Sequence, residues 1–139
     1  MALAAWRALG KTGQAPADIE AHSAGLMVCP GQRASRYATT AVRGWEQDLS
    51  THKSKLLSPE IAQNADWLAV MSVSHALALQ ENFGIDKDKI IFLGQFDPEA
   101  DEIEILDPFG GSHEAYETCA LRIQRAVAGL ATAIERGAV

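Results

Sequence analysis

The residues best suited to chemistry lie at Asp107-Pro108-Phe109-Gly110-Gly111-Ser112, between an acidic segment and the longest helical pattern in the chain. The proline after Asp107 pushes that backbone extended, so the carboxylate can project from a loop. Gly110 and Gly111 let the chain turn tightly toward whatever occupies the space ahead. Ser112 then offers a hydroxyl to the first free amides of the next helix. A carboxylic acid on a stiff turn at a helix entrance is placed to hand a proton to a leaving group. A loop aspartate that only shapes a turn has the same local signature. The choice between the two rests on the other candidate groups and on the elements that carry them.

A nucleophile is the obvious partner for such an acid, and Cys29 and Cys119 are the two cysteines. Cys119 and Arg125 match C-x5-R by spacing alone. The residues between them, Ala120-Leu121-Arg122-Ile123-Gln124, include no glycine and continue a helical pattern, and Ala126 stands where Ser or Thr belongs. Helical amides are already committed to their own ladder and cannot surround a phosphate. Cys29 has Ser35 where the arginine should be, and reads as a loop residue near the site mouth. Nothing suggests a disulfide scaffold, so a reducing cytoplasm is the default. The four histidines, His22, His52, His75 and His113, form no close pair with a cysteine or carboxylate at metal-ligand spacing. No metal or other cofactor is expected. His75 and Asp97 read as structural; Asp97 also precedes a proline, but no glycine pair or helix entrance follows it.

The elements that position these groups follow from apolar spacing. Leu3, Trp6 and Leu9 mark a helix ending near Gly10, with no capping residue ahead of it. Ile19, Ala21 and Ser23 alternate with polar neighbours across residues 18–26 and predict a strand. Ala34, Tyr37, Ala41 and Trp45 predict an amphipathic helix. Ser58-Pro59-Glu60 starts another, with serine as cap and proline at its first position. Trp67-Leu68-Ala69-Val70-Met71 and Lys89-Ile90-Ile91-Phe92-Leu93 predict short strands covered on both faces. Residues 74–83 predict a helix stopped by Gly84. Residues 101–106 predict an exposed connection. Tyr116, Ala120, Ile123, Val127, Leu130 and Ile134 form one apolar stripe along a final helix of about five to six turns.

This order predicts a single α/β domain over residues 1–139, with a short parallel sheet covered by helices on both faces. Ligands of such sheets sit beyond the carboxyl ends of the strands. Ser23-Ala24-Gly25, Met71-Ser72 and the Asp107 loop should all reach that edge. The net charge of -6 and the lack of any basic run exclude a nucleic-acid binder as the default. No apolar run is long enough to span a bilayer, and no membrane partner is expected.

Taken together, HSAG, STHKSKLLSPE, ADWLAVM, KIIFLGQFDP and DPFGGSHEAYE, in that order, resemble the low-molecular-weight protein-tyrosine phosphatases. The chain is most similar to bacterial members, including the branch that acts on phosphoarginine. The resemblance implies a three-layer sandwich and a protein phosphatase working on phosphotyrosine through a phosphocysteine intermediate. Its substrates would be phosphorylated proteins or small phosphomonoesters; the oligomeric state stays open. In that mechanism a thiolate in a C-x5-R-S loop attacks phosphorus while backbone amides and the arginine hold the phosphate oxygens. An aspartate protonates the leaving atom and then serves as base for the hydrolytic water. That aspartate would be Asp107. Ser23 and His52 match residues that support the phosphate loop from behind. Met27 and Phe109 match positions that wall the substrate slot. Gly110 takes the place of a second aromatic, which puts tyrosine preference in question.

The resemblance also implies a missing piece. Met1-Ala2-Leu3-Ala4 aligns with the start of the helix that follows the cysteine loop, so the first, inner strand and the loop are absent from the sequence as given. Without that strand, two inner edges would lack partners. The 139-residue chain alone is then expected to be inactive and poorly soluble or loosely packed. A remnant that lost its nucleophile and survives as a binding module is the competing expectation.

Overall fold

Serine hydroxyls set four of the five α-helix starts. Ser35 Oγ accepts from the Ala38 amide at 3.2 Å, Ser58 Oγ from Ile61 at 3.2 Å, Ser72 Oγ from His75 at 3.3 Å and Ser112 Oγ from Ala115 at 3.1 Å. Each satisfies a first-turn amide that has no partner within its helix. The computed structural model describes all 139 residues, Met1–Val139. The helices are α1 (Ala2–Lys11), α2 (Arg36–Arg43), α3 (Pro59–Asn64), α4 (Val73–Phe83) and α5 (His113–Glu135). α1 begins without a side-chain cap, as its sequence predicts. α4 stops at Gly84, whose φ of 63° is left-handed backbone that suits glycine.

The strands are β1 (Leu68–Val70) and β2 (Ile90–Phe92), paired in parallel with Leu68 opposite Ile90 and Val70 opposite Phe92. Alternation sends Leu68, Val70, Ile90 and Phe92 toward α3 and α4, and Ile91 toward α1 and α5. The architecture is therefore a short parallel sheet between two helical layers. Apolar contacts divide along the sheet. One cluster gathers Ala5, Ile91, Leu93, Ile105, Ile123 and Val127. The other gathers Ala62, Val70, Ala76, Leu79 and Ile85. β1 has a ladder partner on one side only, and Ala69 on the α1–α5 face stays exposed.

Two expectations are corrected. Residues 18–26 form no strand; the segment makes a single parallel bridge, Gly25 to Leu56, with the Gly25 amide donating to Lys55 O at 2.8 Å. Alternating side chains cannot make a strand where no neighbouring backbone supplies a ladder. The connection 101–106 is not exposed throughout. Ile105 is buried against Ile123 and Leu93, which pulls the acidic stretch down onto α5 just before Asp107.

Candidate active site

Asp107 sits at the end of a strap, residues 97–107, that crosses from β2 to α5 and is tied down along its length. Asp97 anchors its start. The Asp97 carboxylate is buried and accepts from Arg125 Nε at 2.8 Å and Nη2 at 3.0 Å. The Glu99 amide adds a third bond at 3.1 Å. These donors, Arg125 foremost, hold the Asp97 carboxyl below the usual carboxylate range against the opposing effect of burial. Arg122 stands 3.7 Å from the same carboxylate and donates to the Glu102 carbonyl. Asp97 is thus structural, as its sequence context predicts.

Farther along, Glu104 Oε1 accepts from the Val73 amide at 2.6 Å, and the Ile105 amide donates to Met71 O at 2.8 Å. Asp107 closes the strap by accepting from the Phe109 amide at 2.9 Å. This short turn fixes one carboxylate oxygen and leaves the other free. Gly110 follows at φ 75°, and Ser112 caps α5, so the acid stands at a helix entrance as its sequence predicts.

A cavity of about 420 Å³ opens beside Asp107. Met71, Ser72, His75, Glu104 and Cys119 share its wall, beyond the carboxyl end of β1. Cys119 was not foreseen there. It lies on the same buried stripe as Tyr116 and Ile123, and that spacing was the available signal. Burial, and secondarily the Asp107 carboxylate, push the Cys119 thiol up, so it remains protonated near neutrality. Its Sγ donates to Leu106 O at 3.6 Å, and its own amide belongs to α5. Cys119 is therefore no thiolate in a phosphate loop, which agrees with the sequence reading. His75 and Glu104 carry no local sequence signal for this placement; the register of the strap against β1 and α4 brings them together.

Ser23 and His52 share a second cavity, of about 280 Å³, with Arg7, Arg33 and Ser35. The two cavities meet at Met1 and Met71. Burial lowers the His52 pKa, and the Arg7 guanidinium lowers it further, so the ring is neutral at pH 7. Met27 and Phe109 line neither cavity. They stand in solvent at 94% and 85% exposure. The structure thus gathers Asp107 on one side, and Ser23 with His52 on the other, around one seam, and leaves the two expected wall residues projecting beyond it.

An α/β sandwich with an aspartate on a DP turn before its last helix has clear relatives. The low molecular weight phosphotyrosine protein phosphatase family matches residues 3–139, and the chain belongs to that family. A protein-arginine-phosphatase of Bacillus subtilis is 29% identical over 101 residues, covering 72% of this chain and 65% of the relative. A protein-arginine-phosphatase of Geobacillus stearothermophilus is 30% identical over 118 residues, covering 84% of this chain and 78% of the relative. Among solved structures, the YwlE arginine phosphatase of Geobacillus stearothermophilus superposes with a TM-score of 0.81 at 26% identity, covering 98% of this chain and 86% of that one. The match to the Bacillus subtilis relative spans just under two thirds of that protein's length.

Proposed function

We propose that this chain carries the proton-transfer half of a protein phosphatase centre, acting on phosphorylated proteins or small phosphomonoesters. Asp107 is its general acid and then its general base. The observation that carries the reading is Asp107 held by the Phe109 amide at the mouth of a cavity beyond the carboxyl end of β1, with the Ser23–His52 cavity adjoining. In this reading a thiolate attacks phosphorus and the bond to the leaving oxygen breaks. Asp107 gives that oxygen its proton. Asp107 then takes a proton from the water that cleaves the sulfur–phosphorus bond, which returns the thiolate and releases inorganic phosphate. The 139 residues contain no C-x5-R-S sequence. The loop, with an inner strand beside β1, is supplied in this proposal by residues ahead of Met1. Ser23 and His52 support it from behind; Met27 and Phe109, exposed in this structure, would wall the slot only with that loop in place.

Phosphotyrosine is the substrate that the family's description states. A second reading, phosphoarginine, is favoured by a specific feature. Phe109 is a lone aromatic followed by Gly110, so the slot has one ring wall where a phenyl leaving group would be gripped by two. The relatives named as arginine phosphatases support it. In that case Asp107 protonates a guanidino nitrogen instead of a phenolic oxygen.

The test is turnover by the chain extended with its in-frame upstream residues, beside the 139-residue chain and an extended Asp107→Asn variant. Phosphotyrosine and phosphoarginine peptides serve as substrates. The extended chain should turn over. The Asn variant should fall by about 10²–10⁴-fold, the range for loss of a general acid. The 139-residue chain should show nothing above background. Turnover by the short chain, or full activity in the Asn variant, overturns the proposal. A stop codon upstream with no C-x5-R-S sequence selects the remnant instead.

A further inference from the structure

Three consecutive residues ahead of Asp107 each have one fixed partner. Glu104 Oε1 accepts from the Val73 amide, the Ile105 amide donates to Met71 O, and Leu106 O accepts from Cys119 Sγ. Two of these ties reach the end of β1 and the start of α4, so the strap's register is set by the sheet edge itself. The Ile105 tie uses backbone on both sides. The Leu106 tie is a weak thiol bond. Glu104 makes the only one that rests on a strong acceptor side chain. Its carboxylate also sits at the positive end of an eleven-residue helix, where a negative charge is favoured. The bond is short, at 2.6 Å, as charge-assisted bonds are. Glu104 lines the same cavity as Asp107.

We propose that Glu104 is a positioning residue for Asp107: by capping α4 through Val73 it fixes where the strap ends and so which way the acid faces. The inference rests on the assignment of Asp107 as the acid, but its test reads posture rather than turnover. Failure of one therefore does not pass for failure of the other. The mechanical logic is simple. Asp107 lies three residues beyond Glu104, and its exposed turn has no tertiary anchor of its own apart from the chain leading into α5. If the Val73 tie is cut, the strap keeps the Ile105 backbone bond and only the weak thiol contact at Leu106 beyond it, which restrain rotation less than the Glu104 and Ile105 ties together.

The reporter is the Phe109 amide, because its partner is the Asp107 carboxylate itself. Amide NMR of the chain extended with its in-frame upstream residues, compared with Glu104→Ala and Glu104→Gln in that chain, measures it. In the parent chain the Phe109 resonance should respond to Asp107→Asn, which alters its acceptor. In Glu104→Ala that response should be lost, and the Val73 amide should exchange roughly fivefold faster, the factor that loss of one helix cap carries. Glu104→Gln keeps a carbonyl oxygen for Val73 and should restore the Phe109 response. The Ile123 and Val127 amides, in the core of α5, should not change in either variant. A Phe109 response that survives Glu104→Ala overturns the proposal. So does its loss in Glu104→Gln, and so does a general rise in exchange through α5, which would make Glu104 a packing residue only.

Discussion

Replacing Gly129 with alanine tests how the strap is seated on α5. Helix propensity alone says that the change should help, because alanine is favoured over glycine inside a helix by about 1 kcal/mol. The structure opposes this. A Cβ at Gly129 would run into the Phe96 carbonyl oxygen, with the Phe96 carbonyl carbon at 3.1 Å and its Cβ at 3.2 Å. The obstacle is backbone in the 3-10 turn Leu93–Phe96, which leads straight into Asp97. It cannot swing aside as a side chain would. Carbon–oxygen contacts lie at about 3.3 Å or beyond, so turn and helix must separate by on the order of an ångström. Overpacking of this kind costs about 1–3 kcal/mol. Against the propensity gain, the net expectation is a loss of up to about 2 kcal/mol, or a fall in Tm of up to about 6 °C for a domain of this size. Gly10 is the internal control. It also lies in a helix, and nothing stands within 4 Å of its would-be Cβ. Gly10→Ala should gain about 0.5 kcal/mol, less than the full propensity because it sits near the helix end. Urea denaturation followed by tryptophan fluorescence at micromolar concentration reads both. If Gly129→Ala gains stability as Gly10→Ala does, the close approach of turn and helix is wrong.

Further predictions concern charge and thiol chemistry. Asp97 is held below its ordinary value of 3.8, so its ion pair with Arg125 contributes fully above that value and is lost as pH falls through the depressed one. Urea midpoints should therefore drop in acid below about pH 4, and Asp97→Asn should be less stable at neutral pH and show a flatter acid response. Cys29 is exposed and Cys119 buried with its thiol pushed up. At pH 7 iodoacetamide should label Cys29 first and reach Cys119 only on unfolding, as mass mapping will show. Equal labelling of the two in the folded chain would mean that α5 does not seal Cys119 against Leu106.

The division of the interior bears on all of these. The two apolar clusters lie on opposite sides of a sheet two strands wide, and both cavities open along the free side of β1 at Met71. Buried contacts between α1, β2 and α5 therefore hold one half, and contacts between β1, α3 and α4 the other. Asp107 depends on both, since its strap is fastened to α5 through Asp97 and to β1 and α4 through Ile105 and Glu104.

The sequence by itself determined the local pieces. Period and caps placed every α-helix, because serine oxygens and apolar spacing act within a few residues of where they are written. Short runs such as Leu68-Ala69-Val70 and Ile90-Ile91-Phe92 were legible as strands from their unbroken apolar residues, but the expected cover on both faces fails at Ala69, which is exposed. The Asp107 turn was legible for the same reason, since a DP step, Gly110 and Ser112 shape their own backbone. Tertiary structure decided whatever needed a distant partner. Residues 18–26 have a strand's alternation but no ladder beside them, and pairing belongs to two segments, never to one. Asp97 and Asp107 both precede proline; only Arg125, 28 residues away, makes the first a buried lock. Cys119, His75 and Glu104 meet Asp107 because the strap, fastened to α5 at its start, also reaches the ends of β1 and α4, and no spacing along the chain records that path.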